Sequence, residues 1–373
     1  MKVLLLTQFL PPMLGGVERH VWTLARALAA RAHEVTLLGF ATGREEPAES
    51  HSEGVRIVRV RTAASHLPIL YSESARPYAL PLPDPLVSRA IRHELARGRF
   101  DVVHAHDWIV NSALGPAARA QVPLVLTLHD YSHVCATQRL MEHEKHRCSG
   151  PSLARCLSCA TAQYGAARGT VTLAANTWSA WRRSNRVARF AAVSSAVATA
   201  VAQPEKSWLS SARLSTEVIP NFIPDDIVLD EIPATDPNAP LLYVGDLSLD
   251  KGVQTLLDAY RLLDGPPPLV LAGRSWPGSA WTMPDGVQWL GPLPHDEVLR
   301  LFRSARAVIV PSIVGDACPT VVLEAMAAGR PVVASAAGRD RAREFTVSAV
   351  VERIERLYAS AIAQAKVEVT GVG

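Results

Sequence analysis

The chain lacks a hydrophobic run long enough to cross a membrane, and it lacks the large positive charge typical of nucleic-acid-binding proteins. Its 373 residues contain 38 Lys and Arg against 35 Asp and Glu, a formal net charge of +3. A charge this small is compatible with phosphate-bearing ligands or with an anionic membrane surface. We therefore expect no nucleic-acid partner and leave a peripheral membrane contact open.

A secretory leader is not expected either. The first residues, MKVLLL, are apolar, but the run is short, has no small-residue cleavage site and leads directly into Pro11 and Pro12. Such a segment predicts a first buried strand rather than a leader peptide. The expected location is the cytoplasm, with membrane association as an alternative.

Hydrophobic residues make up 48% of the chain, which supports sizeable cores, and the length favours two domains of ordinary size. Short apolar runs alternate with amphipathic helical patterns. This alternation predicts an α/β fold made of two doubly wound domains. The predicted domains are residues 1–210 and 211–345, followed by a terminal helix at 346–366.

Two glycines, Gly15 and Gly16, stand at the first strand-to-helix junction. They would let the backbone approach a phosphate or a sugar closely, with the helix N-terminus behind. A tight turn is the alternative interpretation, and the dinucleotide fingerprint G-x-G-x-x-G is absent. Two later strands, residues 101–106 and 122–129, end in His106 and His129. Both histidines should lie near the carboxyl edge of a parallel sheet.

The stretch AVIVPSIVGDACPTVVLEAMAAGRPVVAS, residues 307–335, predicts a strand, a polar loop, a helix, a tight turn and a second strand. The strand is expected at 308–310 and the helix at 318–328, with Pro319 in its first turn. Asp316 and Glu324 are eight residues apart and can both face the opening where α/β sheets bind ligands. Two carboxylates beside helix N–H groups suit a ligand that is part sugar and part phosphate.

The same stretch resembles the signature of retaining nucleotide-sugar glycosyltransferases of GT-B family 4, also called glycosyl transferases group 1. The match comprises an acidic residue, Glu-Ala-Met-Ala and Gly-x-Pro-Val-Val-Ala-Ser; most members carry Glu where this chain has Asp316. P-P-x-x-G-G-V-E-R-H and T-L-H-D are further landmarks of the family. The resemblance runs from Lys2 to Ala363 and implies a GT-B fold. In that fold two Rossmann-like domains face each other across a cleft, and a terminal helix crosses back to the first.

The resemblance implies transfer of a sugar from a UDP- or GDP-linked donor to a hydroxyl of a glycan, lipid or small molecule, with retention and without a required metal. The implied catalytic residues are His129, Lys251, Asp316 and Glu324. The implied donor-binding and phosphate-binding residues are Gly15, Gly16, Lys251, Arg274, Leu290, Thr320 and Glu324. The leaving phosphate serves as the base in such enzymes, so no protein base is expected.

Two departures from the family pattern favour an alternative. Asp246 stands where members carry an Arg that clamps the donor diphosphate, and Arg274 in the next loop is the candidate substitute. About 40 residues, roughly a strand and a helix, are missing after Ser335, so the second domain is expected to be shortened near its C-terminal end. The alternative is an impaired or non-catalytic homologue that acts as a binding or assembly partner.

An insertion at residues 135–160 contains four cysteines: Cys135, Cys148, Cys156 and Cys159. Their number matches an all-cysteine zinc site, although the first two spacings are irregular for a zinc ribbon. Unpaired thiols in a loop insertion are the alternative, and disulfides are not expected in the cytoplasm. A related subset of the resembled family carries such an insertion after T-L-H-D. A structural zinc is the cofactor that these residues suggest.

Overall fold

The computed structural model describes residues 1–11, 15–41, 46–63, 65, 78–143, 146–202, 216–229, 236, 238–275, 280–313, 317–333 and 347–370. The chain forms two compact units, Met1–Pro220 together with Val351–Gly373, and Asn221–Val350. Both are α/β, as predicted. The predicted boundary between residues 210 and 211 lies outside the described residues and stays a prediction.

An eight-stranded sheet forms the centre of the first unit, in the order β10-β9-β6-β5-β1-β2-β4-β3. All neighbours are parallel except β3 and β4. The central strands are runs of Val, Leu, Ile and Ala that are buried on both faces, as parallel strands between helices require. The strands of this unit are β1 (Lys2–Leu6), β2 (Glu34–Phe40), β3 (Glu49–Ser52), β4 (Val55–Val60), β5 (Val102–His106), β6 (Leu124–Leu128), β7 (Met141–Glu142), β8 (His146–Arg147), β9 (Arg189–Ala192) and β10 (Thr216–Val218).

The helices of the first unit pack their apolar faces on this sheet or on one another. In the first helix Val21, Leu24 and Leu28 are fully buried. The second begins at Asp84, whose carboxylate accepts the N–H groups of Leu86 and Val87 at 2.9 and 3.1 Å. These helices are α1 (Gly16–Ala30), α2 (Pro85–Arg97), α3 (Val110–Ala120), α4 (Leu153–Tyr164), α5 (Ala166–Arg186) and α6 (Ser195–Ala202).

A four-stranded parallel sheet, in the order β13-β12-β11-β14, forms the centre of the second unit. Val332 adds an isolated parallel bridge to Val308. One hydrophobic cluster packs around Phe302 and Met326, and another around Leu257 and Tyr260. The elements are β11 (Leu241–Val244), α7 (Val253–Arg261), β12 (Leu269–Ala272), β13 (Val287–Trp289), α8 (His295–Ser304), β14 (Ala307–Val308) and α9 (Thr320–Ala327). Residues 334–346 lie outside the described part of the chain.

The last helix, α10 (Val347–Thr370), is fixed to the first unit by polar contacts. Glu355 accepts a hydrogen bond from Arg31 Nε at 2.9 Å and lies 2.8 Å from His33 Nε2. Tyr358 is fully buried, and its hydroxyl lies 2.5 Å from Nδ1 of His104 in β5. These contacts join the end of the chain to the β5 side of the sheet. None of the described helices is long and apolar enough to span a membrane.

Several predicted elements are wrong in their bounds. The strand expected at 308–310 spans Ala307–Val308, and Pro311, which has no N–H to donate to a neighbouring strand, limits its continuation. Pro319 is the N-cap residue of α9, with extended backbone, and not part of its first turn. Gly165, with φ 82°, separates α4 from α5, because a residue inside a helix does not adopt a positive φ.

Candidate functional site

Three loops at the carboxyl edge of the first sheet carry its candidate site residues. The strands β5, β1 and β6 run parallel, with β5 between the other two, so the segments that follow them emerge at one edge. Gly15 and Gly16 follow β1, His106 ends β5, and His129 follows β6.

The histidine cluster, defined here as His20, His106 and His129, is buried at this edge. One ring nitrogen from each of the three histidines lies within 4.8 Å of the corresponding nitrogens of the other two. His106 Nδ1 lies 2.9 Å from His129 Nε2, a hydrogen-bonding distance. His20 packs edge-on against His129 with 4.8 Å between the ring centroids. The cluster can hydrogen-bond a polar ligand, and imidazoles are also common metal ligands.

Burial favours the uncharged forms of His20 and His106. Desolvation lowers the pKa of His20 and His106 well below the usual value, and the neighbouring histidines lower it further. His104, behind the cluster, has its pKa lowered to about 3 by burial and by His129. Its two nitrogens contact the Tyr358 hydroxyl at 2.5 Å and the Thr127 hydroxyl at 2.8 Å. A neutral imidazole donates through one nitrogen and accepts through the other, so His20 and His106 offer hydrogen bonds rather than positive charge.

Two partly buried carboxyl groups, Asp107 and Asp130, follow β5 and β6. Burial raises the pKa of both, and the charge of Asp130 raises that of Asp107 further. Gln8 donates to Asp107 at 3.3 Å, and the Ser132 N–H donates to Asp130 at 2.7 Å. Asp107 adopts φ 58°, a strained conformation for a residue with a side chain, and such strain clusters at functional sites.

A buried arginine, Arg183 of α5, holds the loop that carries Asp130. Its guanidinium donates to Asn111 Oδ1 at 3.1 Å and to Asn176 Oδ1 at 3.2 Å. It also donates to the Ser132 carbonyl at 3.5 Å. Burial lowers the pKa of Arg183 to about 9, while Asp130 opposes that shift. The side chain is therefore protonated at neutral pH and fixes the loop after β6.

The glycine loop is closed by its own helix. The Gly15 N–H donates to Glu18 Oε2 at 3.0 Å, and the Gly15 carbonyl accepts the Arg19 N–H at 3.1 Å. Glu18 is buried, which is rare for a carboxylate unless it is hydrogen-bonded. Helix α1 therefore starts at Gly16 with its N-terminus at the carboxyl edge of the sheet. Residues 12–14 of the loop lie outside the described residues.

Two glycines bring neighbouring loops together in the second unit. A Cβ on Gly273 would lie 1.8 Å from the Gly245 carbonyl oxygen, so only glycine permits this approach. The next residues, Asp246 and Arg274, form a two-point ion pair, with Arg274 Nε at 3.2 Å from Oδ1 and Nη2 at 3.1 Å from Oδ2. The two side chains are about half-buried. Asp246 thus holds the guanidinium of Arg274, the candidate substitute for the missing family Arg.

Lys251 lies in a turn that packs on the loop after β14. Its neighbour Gly252 has φ 74°, and a Cβ there would lie 1.9 Å from the Pro311 carbonyl oxygen. The Ile313 N–H donates to the Asp250 carbonyl at 3.0 Å. The loop continues toward Asp316, which lies outside the described residues and stays a prediction.

Glu324 is buried in α9, with 6% of its surface exposed. Its Oε1 lies 3.5 Å from His295 Nε2 at the start of α8. Thr320 begins α9, where helix N–H groups favour an anion. Leu290 follows β13 and donates its N–H to the Leu271 carbonyl at 2.9 Å.

The predicted residues fall into two groups. Gly15, Gly16 and His129 lie at the carboxyl edge of the first sheet; Lys251, Arg274, Leu290, Thr320 and Glu324 lie in the second unit. Sequence reasoning placed His106 near this edge without a role in the site, and it missed His20, Asp107, Glu18 and His295. The signal for His20 was its place one turn into α1 after the glycines. The signal for His106 and Asp107 was the polar end of an otherwise apolar strand.

Comparisons with known proteins agree with this architecture. The family model described as Glycosyltransferase Family 4 matches residues 14–226, and the model described as Glycosyl transferases group 1 matches residues 239–365. A glycogen synthase of Mycobacterium tuberculosis (strain ATCC 25618 / H37Rv) is 28% identical over 378 residues, which cover 91% of this chain and 78% of that protein. A D-inositol 3-phosphate glycosyltransferase of Arthrobacter sp. (strain FB24) is 30% identical over 351 residues, covering 87% and 74%.

Solved structures support the fold. Sucrose-phosphate synthase from Thermosynechococcus elongatus superposes with a TM-score of 0.69 at 18% identity, over 97% of this chain and 99% of that one. Anabaena HepE in complex with UDP and glucose gives 0.59 at 18% identity, over 98% and 94%. Because a Family 4 model matches more than half of its length and a second model matches most of the remainder, the chain belongs to the GT-B-fold glycosyltransferases of Family 4.

Proposed function

We propose that this protein is a retaining hexosyltransferase that moves a sugar from a UDP- or GDP-linked donor to a hydroxyl of a glycan, lipid or small molecule. The observation that carries the proposal is the composition of the carboxyl edge of the second sheet. The loops after its strands carry Lys251, Arg274 and Leu290, and α9 carries the buried Glu324. Two cations and a buried carboxylate suit a diphosphate joined to a ribose.

Each of these residues has a proposed role in donor binding. Lys251 and Arg274 neutralise the diphosphate as it leaves, aided by the N–H groups at Thr320. Glu324 accepts hydrogen bonds from the ribose hydroxyls, and the backbone at Leu290 contacts the base. These interactions stabilise charge that develops on the leaving group, and no metal is required for that step.

The first unit is proposed to contact the sugar and the acceptor. His129 hydrogen-bonds the donor sugar or its phosphate near the reaction centre, and Gly15 and Gly16 lie near both. Burial lowers the pKa of His106, which favours its neutral form, and His106 is hydrogen-bonded to His129. This histidine pair can orient a substrate hydroxyl by hydrogen bonding. Asp316 is proposed to hold sugar hydroxyls. The leaving phosphate takes the acceptor proton.

The decisive experiment incubates the full chain with a panel of UDP-, GDP- and ADP-sugars and measures hydrolysis or transfer. Lys251→Ala and Glu324→Ala are expected to abolish turnover, because each removes a donor contact. Asp296→Asn, an exposed change on α8, is the matched control and should keep full turnover. Anomeric proton NMR of the product tests retention. Near-normal turnover in either site variant would contradict the assignment.

A non-catalytic homologue is the second candidate, and the Asp246–Arg274 ion pair favours it. A carboxylate beside the diphosphate opposes binding and occupies part of the guanidinium. Asp246→Asn is expected to tighten UDP or GDP binding about fivefold, since a half-exposed pair contributes about 1 kcal/mol. Asp258→Asn on the exposed face of α7 is the control, read by calorimetry. Failure of every nucleotide to bind either protein would favour the non-catalytic candidate.

A further inference from the structure

The cysteine insertion has no part in the proposed transfer. It begins where the chain turns after β6, with the Cys135 N–H donating to the Tyr131 carbonyl at 2.8 Å. The chain then forms the β7–β8 hairpin, and the Cys148 N–H donates to the Leu140 carbonyl at 2.9 Å. The hairpin therefore brings Cys148 back beside Leu140, five residues after Cys135.

Helix α4 brings the other two thiols to this hairpin. Cys156 and Cys159 are three residues apart, so they lie on one face of the helix. Cys156 packs against the small cluster of Ala136, Ala160 and Leu173, next to Cys135 in sequence. Cys159 Sγ lies 4.0 Å from the Met141 carbonyl oxygen in the hairpin. The three backbone segments that carry the four thiols therefore lie next to one another.

The state of these thiols fits metal ligands. All four are reduced and partly buried. Cys135 Sγ lies 3.2 Å from the Thr137 hydroxyl, and the Cys148 thiol donates to the Gly150 carbonyl at 3.4 Å. These partners are neutral and weak, so a divalent ion bound by the sulfurs can replace them.

Apolar burial contributes little to holding the insertion. Its buried apolar cluster contains two alanines and one leucine. The Arg155–Glu142 ion pair at 3.2 Å joins α4 to the hairpin. Ser158 lies 3.1 Å from His143 Nε2, and the Tyr164 hydroxyl donates to the Ala136 carbonyl at 3.2 Å. Small elements with so little core are commonly fixed by a metal or by disulfides.

We propose that Cys135, Cys148, Cys156 and Cys159 bind one Zn²⁺ as a structural site that ties the β7–β8 hairpin to α4. Four thiolates bind zinc tetrahedrally at about 2.3 Å. Each thiol gives its proton to solvent, so one Zn²⁺ and four thiols yield the tetrathiolate complex and four protons. In the described part of the structure no three of these four sulfurs all lie within 4.8 Å of one another, so the sulfurs must move closer together when zinc binds. The proposal is independent of the donor, the acceptor and the transfer reaction.

The test measures metal content in the full chain, purified without a polyhistidine tag. Mass spectrometry of the elements is expected to give about one zinc per chain. Cys148→Ser and Cys156→Ser should each reduce zinc to background. Cys318→Ser removes the remaining cysteine, which lies in the second unit, and should leave the zinc content unchanged. Cobalt substitution should give the intense near-ultraviolet thiolate-to-metal band and the visible bands of a tetrahedral site.

A second measurement keeps the proposal testable if a variant fails to fold. Native mass spectrometry of the wild-type chain before and after chelation should show loss of one zinc and the appearance of four thiols that react with a disulfide reagent. Background zinc with these thiols already reactive would overturn the proposal, as would iron or an internal disulfide at these cysteines. Zinc that survives both Ser variants but is lost on His20→Ala would assign the ion to the histidine cluster and overturn it too.

Discussion

Replacing Gly273 by Ala should destabilise the second unit more than any other single methyl addition at the glycines described. The new Cβ would meet the Gly245 carbonyl oxygen at 1.8 Å, so the oxygen must retreat by about 1.6 Å to reach an ordinary contact of 3.4 Å. Three backbone hydrogen bonds resist that movement: Gly245 to Ala272, Gly273 to Gly291, and Leu247 to Arg274, at 2.7–2.9 Å.

The expected magnitude follows from these contacts. Gly273 has φ 151°, where a residue with a side chain costs about 1–3 kcal/mol. Weakening the three hydrogen bonds adds about 1 kcal/mol for each one lost. We expect the free energy of unfolding of the second unit to fall by about 3–5 kcal/mol. The Asp246–Arg274 pair should also be displaced, so nucleotide binding should weaken.

Urea unfolding with hydrogen exchange, which separates the two units, is the appropriate assay. Gly265→Ala is the matched control, because Gly265 has φ 57° but nothing within 4 Å of an added Cβ. It isolates the cost of the left-handed conformation, about 1 kcal/mol. The reasoning is refuted if Gly273→Ala destabilises the second unit no more than Gly265→Ala does.

Three further predictions concern the first unit. Tyr358→Phe should destabilise it by about 1–3 kcal/mol in urea, because the buried His104 nitrogen loses its partner. Below pH 6.5 His106 is protonated in the unfolded chain but not in the folded chain, so the free energy of unfolding decreases as the pH is lowered. His106→Asn should reduce this dependence of stability on pH by up to about 1.4 kcal/mol per pH unit. Trp178→Ser with Trp181→Ser should weaken sedimentation with anionic vesicles, because both rings are exposed and residues 146–202 contain seven Arg and no Asp or Glu.

Each of these has a control. Ser360→Ala on α10 changes an exposed hydrogen bond to Arg189 and should alter stability by less than about 0.5 kcal/mol. His51→Asn, exposed in β3, should leave the pH slope unchanged. Trp289→Ser in the second unit should leave vesicle binding unchanged. Equal effects of variant and control would contradict the corresponding prediction, and so would equal binding to neutral and anionic vesicles.

The local elements followed from local patterns. Apolar runs predicted β1, β5 and β6, because strands that are buried on both faces are hydrophobic along most of their length. Helix ends were harder: the division at Gly165 depends on a backbone conformation that a single glycine permits but does not require. The sequence pattern did not predict β3, because residues 44–54 are polar and this strand pairs with β4 at the edge of the sheet.

The sequence by itself determined the fold class and the family, because the signature at 307–335 and the apolar runs are contiguous patterns. It also supplied Glu324, Lys251 and His129 as candidate residues. Only the tertiary structure joined His20 to His106 and His129, and Asp246 to Arg274. These partners are between 23 and 109 residues apart, and their contact depends on strand register and loop geometry. No local pattern encodes that distance, and so the electrostatic state of the histidines could not be inferred before the fold was known.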